Sequence, residues 1–206
     1  MNMKQIGGWC LIGSAAATIF GMAHHPSSYQ AAIGPAVHGA MLMVLLVTAF
    51  GFATFVLDRG VQRPSILAGT IAYAVSTFAN LGAGTINGFI APALAQGDAA
   101  IGQDILQLCW AANQALAWLG VVTVGAAFLF WSFDFLRRPG VSARLIGVAG
   151  LAAGLLPTIL LVSGVLSMNV VGAFILYTAQ VTWGALVGLH LLAEAKARRP
   201  SASVAP

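Results

Sequence analysis

Imidazole and thioether side chains form a mirrored pattern near the start of the chain. Met22 precedes His25 by three residues, and Met41 follows His38 by three. On a helix, a spacing of three places each methionine on the same side as its histidine. Imidazole suits copper, zinc and iron, whereas thioether selects Cu(I) or a haem axial position. The arrangement M-x-x-H … H-x-x-M therefore predicts a metal site drawn from His24, His25, His38, Met22 and Met41. Its occupant would be copper, or a haem b held between histidines on facing helices. Cys109 and Met168 fall near the same end and are further possible donors. A plainer reading makes the histidines edge residues that cap helices beside a turn. Three of the four histidines lie between Gly21 and Met41, a stretch with no Lys, Arg, Asp or Glu. The fourth, His190, stands alone near the end of its segment and reads as interfacial.

Amides form the second set. Tyr73, Thr77, Asn80 and Asn87 recur at helical spacing on one face, and Asp104, Gln107, Gln114 and Trp118 do the same. In an apolar helix such groups turn toward the bundle interior. One reading is glue: Asn87 would pair with Gln107, and Asn80 with Gln114, at about 0.6 kcal/mol per contact. Tyr177 and Gln180 would reach the same middle depth. The other reading is a polar cavity in which Asn80, Asn87, Gln107 and Gln114 bind a small molecule. No ionisable residue falls in mid-segment, which weighs against a proton- or sodium-coupled pump. The only acids at the histidine end are Asp98 and Asp104.

The elements that must position these residues are apolar helices. Of 206 residues, 59% are hydrophobic and 7% are charged, against roughly 25% charged in soluble domains. Apolar runs recur at about the 20 residues that cross a hydrocarbon core. Six spans are expected: Ile6–Ala23, Pro35–Leu57, Ser65–Ala91, Asp104–Trp131, Leu145–Leu166 and Val170–Leu192. Pro26 and Pro35 bracket the first connection, and Arg137-Arg138-Pro139-Gly140 separates the fourth span from the fifth. The expected fold class is an all-α integral membrane protein: a compact bundle of six transmembrane helices with short loops. Residues 1–192 form one domain, and 193–206 a polar tail. Pro157 should kink the fifth span.

Lys4, Arg59, Arg63, Arg137, Arg138, Arg144, Lys196, Arg198 and Arg199 all fall at the termini or in the second and fourth connections. By the positive-inside rule both termini are cytoplasmic, the membrane is a bacterial inner membrane, and the histidines face the periplasm. A competing reading takes the first span as a signal peptide with small residues Gly21 and Ala23 at its cleavage positions. Gly8, Gly13 and Ser14 favour a packed helix instead. Gly84–Gly88, Gly150–Gly154 and Gly184–Gly188 have the G-x-x-x-G spacing that lets backbones approach in lipid, within the bundle or against a membrane-protein partner.

The formal charge of +4 lies in short loops rather than a patch, so no nucleic-acid partner is expected. Cys10 and Cys109 sit toward opposite ends and should not pair. Hydrolase, zinc-protease and nucleotide motifs are missing, and no acid–base pair supports an enzyme. Three functions fit: a copper- or haem-binding redox accessory, a small-molecule carrier or channel, and a structural subunit of a larger complex.

Overall fold

A computed structural model describes residues 1–25, 33–96 and 103–197. Every regular element among them is helical. Helices α1 (Met3–Ala23), α2 (Gly34–Arg59) and α3 (Pro64–Thr85) are followed by a π-helical turn, Ile86–Ile90, and by α4 (Ala91–Gln96). Next come α5 (Gln103–Leu136), α6 (Val141–Val162) and α7 (Val170–Ala197). Because α3, the π turn and α4 are continuous, six helical rods are long and apolar enough to cross a membrane. This fits a multi-pass membrane protein. Pro26, Asp98, Arg198 and Arg199 lie outside the described residues.

Local chemistry sets the boundaries. The Asn2 side chain accepts from the Gln5 amide at 3.0 Å while Gln5 Oε1 accepts from the Asn2 amide at 3.1 Å, a reciprocal cap that starts α1. Arg63 is extended ahead of Pro64, which opens α3 with its ring-fixed φ. Gly60 and Gly140, at φ 89° and 102°, turn the chain where a side chain would be strained. Several boundaries differ from expectation: the third rod runs to Gln96 rather than Ala91, the fourth to Leu136 rather than Trp131, and the fifth starts at Val141 rather than Leu145. The fifth rod ends at Val162 rather than Leu166, in a turn through Gly164. The sixth runs past Leu192 to Ala197, so the start of the polar tail belongs to the bundle.

Neighbours in sequence are neighbours in space: α1 packs on α2, α2 on α3, α3 on α5, α5 on α6 and α6 on α7. Extensive contact between α1 and α7 closes the ring. Small residues make that possible. A Cβ on Gly8 would stand 2.8 Å from the Gly188 carbonyl, and one on Gly154 would stand 2.7 Å from that of Gly125. The G-x-x-x-G faces are spent inside the chain: Gly84 and Gly88 meet Leu42 and His38, Gly150 meets Trp183, and Gly184 faces Phe52. Gly8 and Ser14 are buried as expected, but Gly13 has nothing within 4 Å of a Cβ. Cys10 and Cys109 are both unbridged.

Candidate functional site

The ring encloses a cavity of about 810 Å³ that begins at the histidine end and runs toward the middle. His25, His38, Asn87 and Trp110 stand around its mouth, and Met22, Met41, Asn113 and Gln114 lie deeper. Asn80, Tyr177, Ser76 and Gln180 line the middle, and Leu11, Phe52, Tyr73 and Phe128 form the floor. Polar side chains are numerous here, yet among the described residues no Asp, Glu, Lys or Arg contributes to the wall.

The mouth is the most constrained part. His25 and His38 meet edge to face with ring centroids 4.8 Å apart, so the pairing expected from their spacing is present. His38 Nδ1 donates to the Gly34 carbonyl at 2.9 Å; a carbonyl only accepts, so the proton sits on that nitrogen. Nε2 then accepts from the Asn87 side-chain amide at 3.0 Å. The π turn brings this about: it presents Asn87 to the ring and sets Gly88 against His38 Cβ, where a side chain would collide. Single π turns are frequent at functional sites because the extra residue re-aims its neighbours. Met22 and Met41 share the cavity wall with both rings. His24 does not join them: its Nδ1 donates to the Phe20 carbonyl at 2.9 Å, and its ring packs on exposed Phe20. The edge contact between His25 and His38 leaves no room for a porphyrin plane between them. Among the described residues, no group of three or more His, Cys, Asp or Glu side chains is placed to hold a metal.

The amide pairings differ from expectation. Asn87 bonds His38 rather than Gln107, which is exposed and outside the cavity wall. Asn80 bonds Ser76 and accepts from the Tyr177 hydroxyl at 2.7 Å, while Gln114 donates to Asn113 Oδ1 and to the Met168 carbonyl. The reason is register. Asn113 donates to the Ala83 carbonyl at 2.8 Å and Ser76 to the Gly120 carbonyl at 2.8 Å, which slides α5 along α3 from the expected alignment. The π turn then rotates Asn87 toward α2. A double-mutant cycle tests the new pairing: Asn80→Leu and Tyr177→Phe should couple by about 0.6 kcal/mol, and at most about 1.7. Asn80→Leu with Gln114→Leu should be additive in the same unfolding assay.

The other end is shut by two layers. Phe52, Phe128, Trp131 and Trp183 pack together, with Phe128 and Trp183 centroids 4.3 Å apart and Phe52 and Trp131 5.1 Å apart. Beyond them lies an ion network that the sequence reading did not assemble. Glu194 meets Lys4 at 2.8 Å, His190 at 3.0 Å, Arg59 at 3.3 Å and Arg138 at 3.4 Å. Lys4 also meets Asp58 at 2.7 Å, and Asp134 joins Arg63 and Arg138. Arg59 is buried between the Phe55 and Phe135 rings, its guanidinium carbon 5.4 and 5.1 Å from their centroids. His190, expected to stand alone, belongs to this cluster. Its i, i+4 spacing to Glu194, and that of Asp134 to Arg138, are the signals that could have revealed it.

Among the described residues, fold and cavity together describe a ring of six apolar helices around a pocket without a charged lining residue, sealed at the end away from the histidines. In comparisons with known proteins, the chain matches no family profile, no curated protein and no solved structure.

Proposed function

We propose that this is a membrane protein that binds an uncharged small molecule in its central cavity, as a carrier or a receptor. One observation carries the reading: a cavity of about 810 Å³ whose lining, among the described residues, holds amides, hydroxyls and imidazoles and no charged side chain. That size falls in the roughly 300–1,000 Å³ range of small-molecule sites. Desolvating a charged ligand there would find no counter-charge, whereas Asn, Gln and Tyr groups can replace a neutral ligand's water hydrogen bonds. The basic residues gathered at the sealed end favour both termini in the cytoplasm of a bacterial inner membrane, with the mouth toward the periplasm.

Thermal unfolding of the full chain in detergent tests the reading. Polyols, amides and other neutral solutes should include compounds that stabilise it, by about 2.7 kcal/mol at 100 times their dissociation constant. Thr48→Phe, which fills the half-buried middle of the cavity, should abolish the gain without moving the unliganded midpoint. Preferential stabilisation by ions of either sign would sink the proposal.

A second reading keeps copper. It rests on His25, His38, Met22 and Met41 sharing one wall, a soft donor set suited to Cu(I). The ion would have to displace the Asn87 amide from His38 Nε2. Titration with Cu(I) under reducing conditions should then give one equivalent bound, lost in His38→Ala and kept in His24→Ala. Equal loss in both variants, or no binding, would dismiss it.

A further inference from the structure

A second space adjoins the same cavity from the side. Between α2 and α3 lies a cleft of about 380 Å³ whose lining includes Phe52, Thr70, Tyr73, Thr77 and Trp131. These two helices touch each other far less than either touches its other neighbour. Phe52, Tyr73 and Thr77 line both the cleft and the central cavity. The partition between the two spaces is thus the edge-to-face pair of Phe52 and Tyr73, with centroids 5.0 Å apart.

The cleft suits hydrocarbon. Its two threonine hydroxyls are already committed within α3, Thr70 to the Ile66 carbonyl at 2.7 Å and Thr77 to the Tyr73 carbonyl at 2.9 Å. Ala49, Ala53 and Ala74 leave the gap where larger side chains would close it. Around it α2 and α3 expose Phe50, Leu57, Ile71, Val75 and Phe78, a rim that would face acyl chains if the rods cross a bilayer.

We infer that the ligand of the central cavity is a neutral amphiphile drawn from the bilayer: its uncharged head lies among Asn80, Asn87 and Gln114, and its apolar chain leaves through the α2–α3 cleft. The inference rests on the cavity reading above and adds the ligand's class and its route. A water-delivered polar solute would need only the mouth between the histidines. A purely apolar guest would make no use of the donor and acceptor positions that the Asn80, Asn87 and Gln114 amides keep beyond their bonds within the protein. An amphiphile satisfies both spaces at once.

The test uses a neutral lipid probe, monoacylglycerol with a 9,10-dibromostearoyl chain, added to the full chain in nanodiscs. Bromine quenches tryptophan on contact. With exposed Trp9, Trp110 and Trp118 changed to Phe, only buried Trp131 and Trp183 remain as emitters, and Trp131 lines the cleft. The expected result is a saturable loss of about half the emission. Ala53→Phe with Ala74→Phe, two exposed positions, should remove that loss by filling the cleft, and Asn80→Leu should weaken it at least about tenfold in probe concentration, by the loss of one or two hydrogen bonds. Equal quenching in the filled-cleft variant, or none in either, overturns the inference. So does quenching that Asn80→Leu leaves unchanged, which would make the cleft an annular lipid groove unconnected with the cavity. Absence of quenching alongside neutral-solute stabilisation that Thr48→Phe abolishes would sink the lateral route alone and leave the cavity reading standing.

Discussion

Glu194→Gln is expected to lower the stability of the bundle by about 3 kcal/mol, the low end of the cost of removing one partner from a buried ion pair. The low end applies because Glu194 is itself 23% exposed, whereas the Arg59 side chain it neutralises is 1% exposed. Among the described residues Arg59 has no second carboxylate, and its Nε and Nη2 lack partners. Without Glu194 the guanidinium would keep only the faces of Phe55 and Phe135. Lys4 and Arg138 would fare better, since Asp58 and Asp134 still hold them. Denaturation in mixed micelles should therefore show Glu194→Gln well below wild type and Asp58→Asn only slightly below it. Equal midpoints for all three proteins would show that the network contributes nothing to holding the ring shut.

Gly154→Leu is expected to cost a similar amount, about 3 kcal/mol at the upper end of ordinary overpacking. The close approach is reciprocal. A Cβ on Gly154 would stand 2.7 Å from the Gly125 carbonyl, and a Cβ on Gly125 would stand 2.7 Å from the Gly154 carbonyl. Backbone cannot swing aside as a side chain can, so α5 and α6 would have to part along their length. Gly13→Leu provides the contrast, because nothing lies within 4 Å of that position. It should be neutral in the same assay. A comparable loss at Gly13 would mean that the penalty reflects leucine in a helix generally, and the close-packing account would fail.

Helical periodicity and apolar length carried the rods, because a chain in hydrocarbon must satisfy its backbone within each segment. The meeting of His25 with His38 was equally legible, since a short connection joins two antiparallel helices. The pairing of Asn80 was not. Its partner depended on how far α5 slides against α3, a matter of which small residues interlock, and hydropathy does not encode that offset. Asn87 was misassigned for a different reason: a π turn advances the chain by one residue and turns the side chain toward His38. The ion network was overlooked because Asp58, Asp134 and Glu194 lie at the ends of apolar runs. At such ends basic residues also set orientation, and charge placement along the chain does not separate that role from ion pairing.

Lys4 and Glu194 are separated by 190 positions in the chain yet lie 2.8 Å apart. Synthesis runs from one to the other, so the ring exists as an open arc until α7 is made. Through that interval Arg59 has no carboxylate partner, Lys4 and Arg138 are each short of one, and the cavity has a missing wall where α1 and α7 will meet. Arg59 is thus without its counter-charge while the earlier helices are being placed, and gains it when α7 arrives. Glu194 works as a latch, and the ring can close only once α7 is in place.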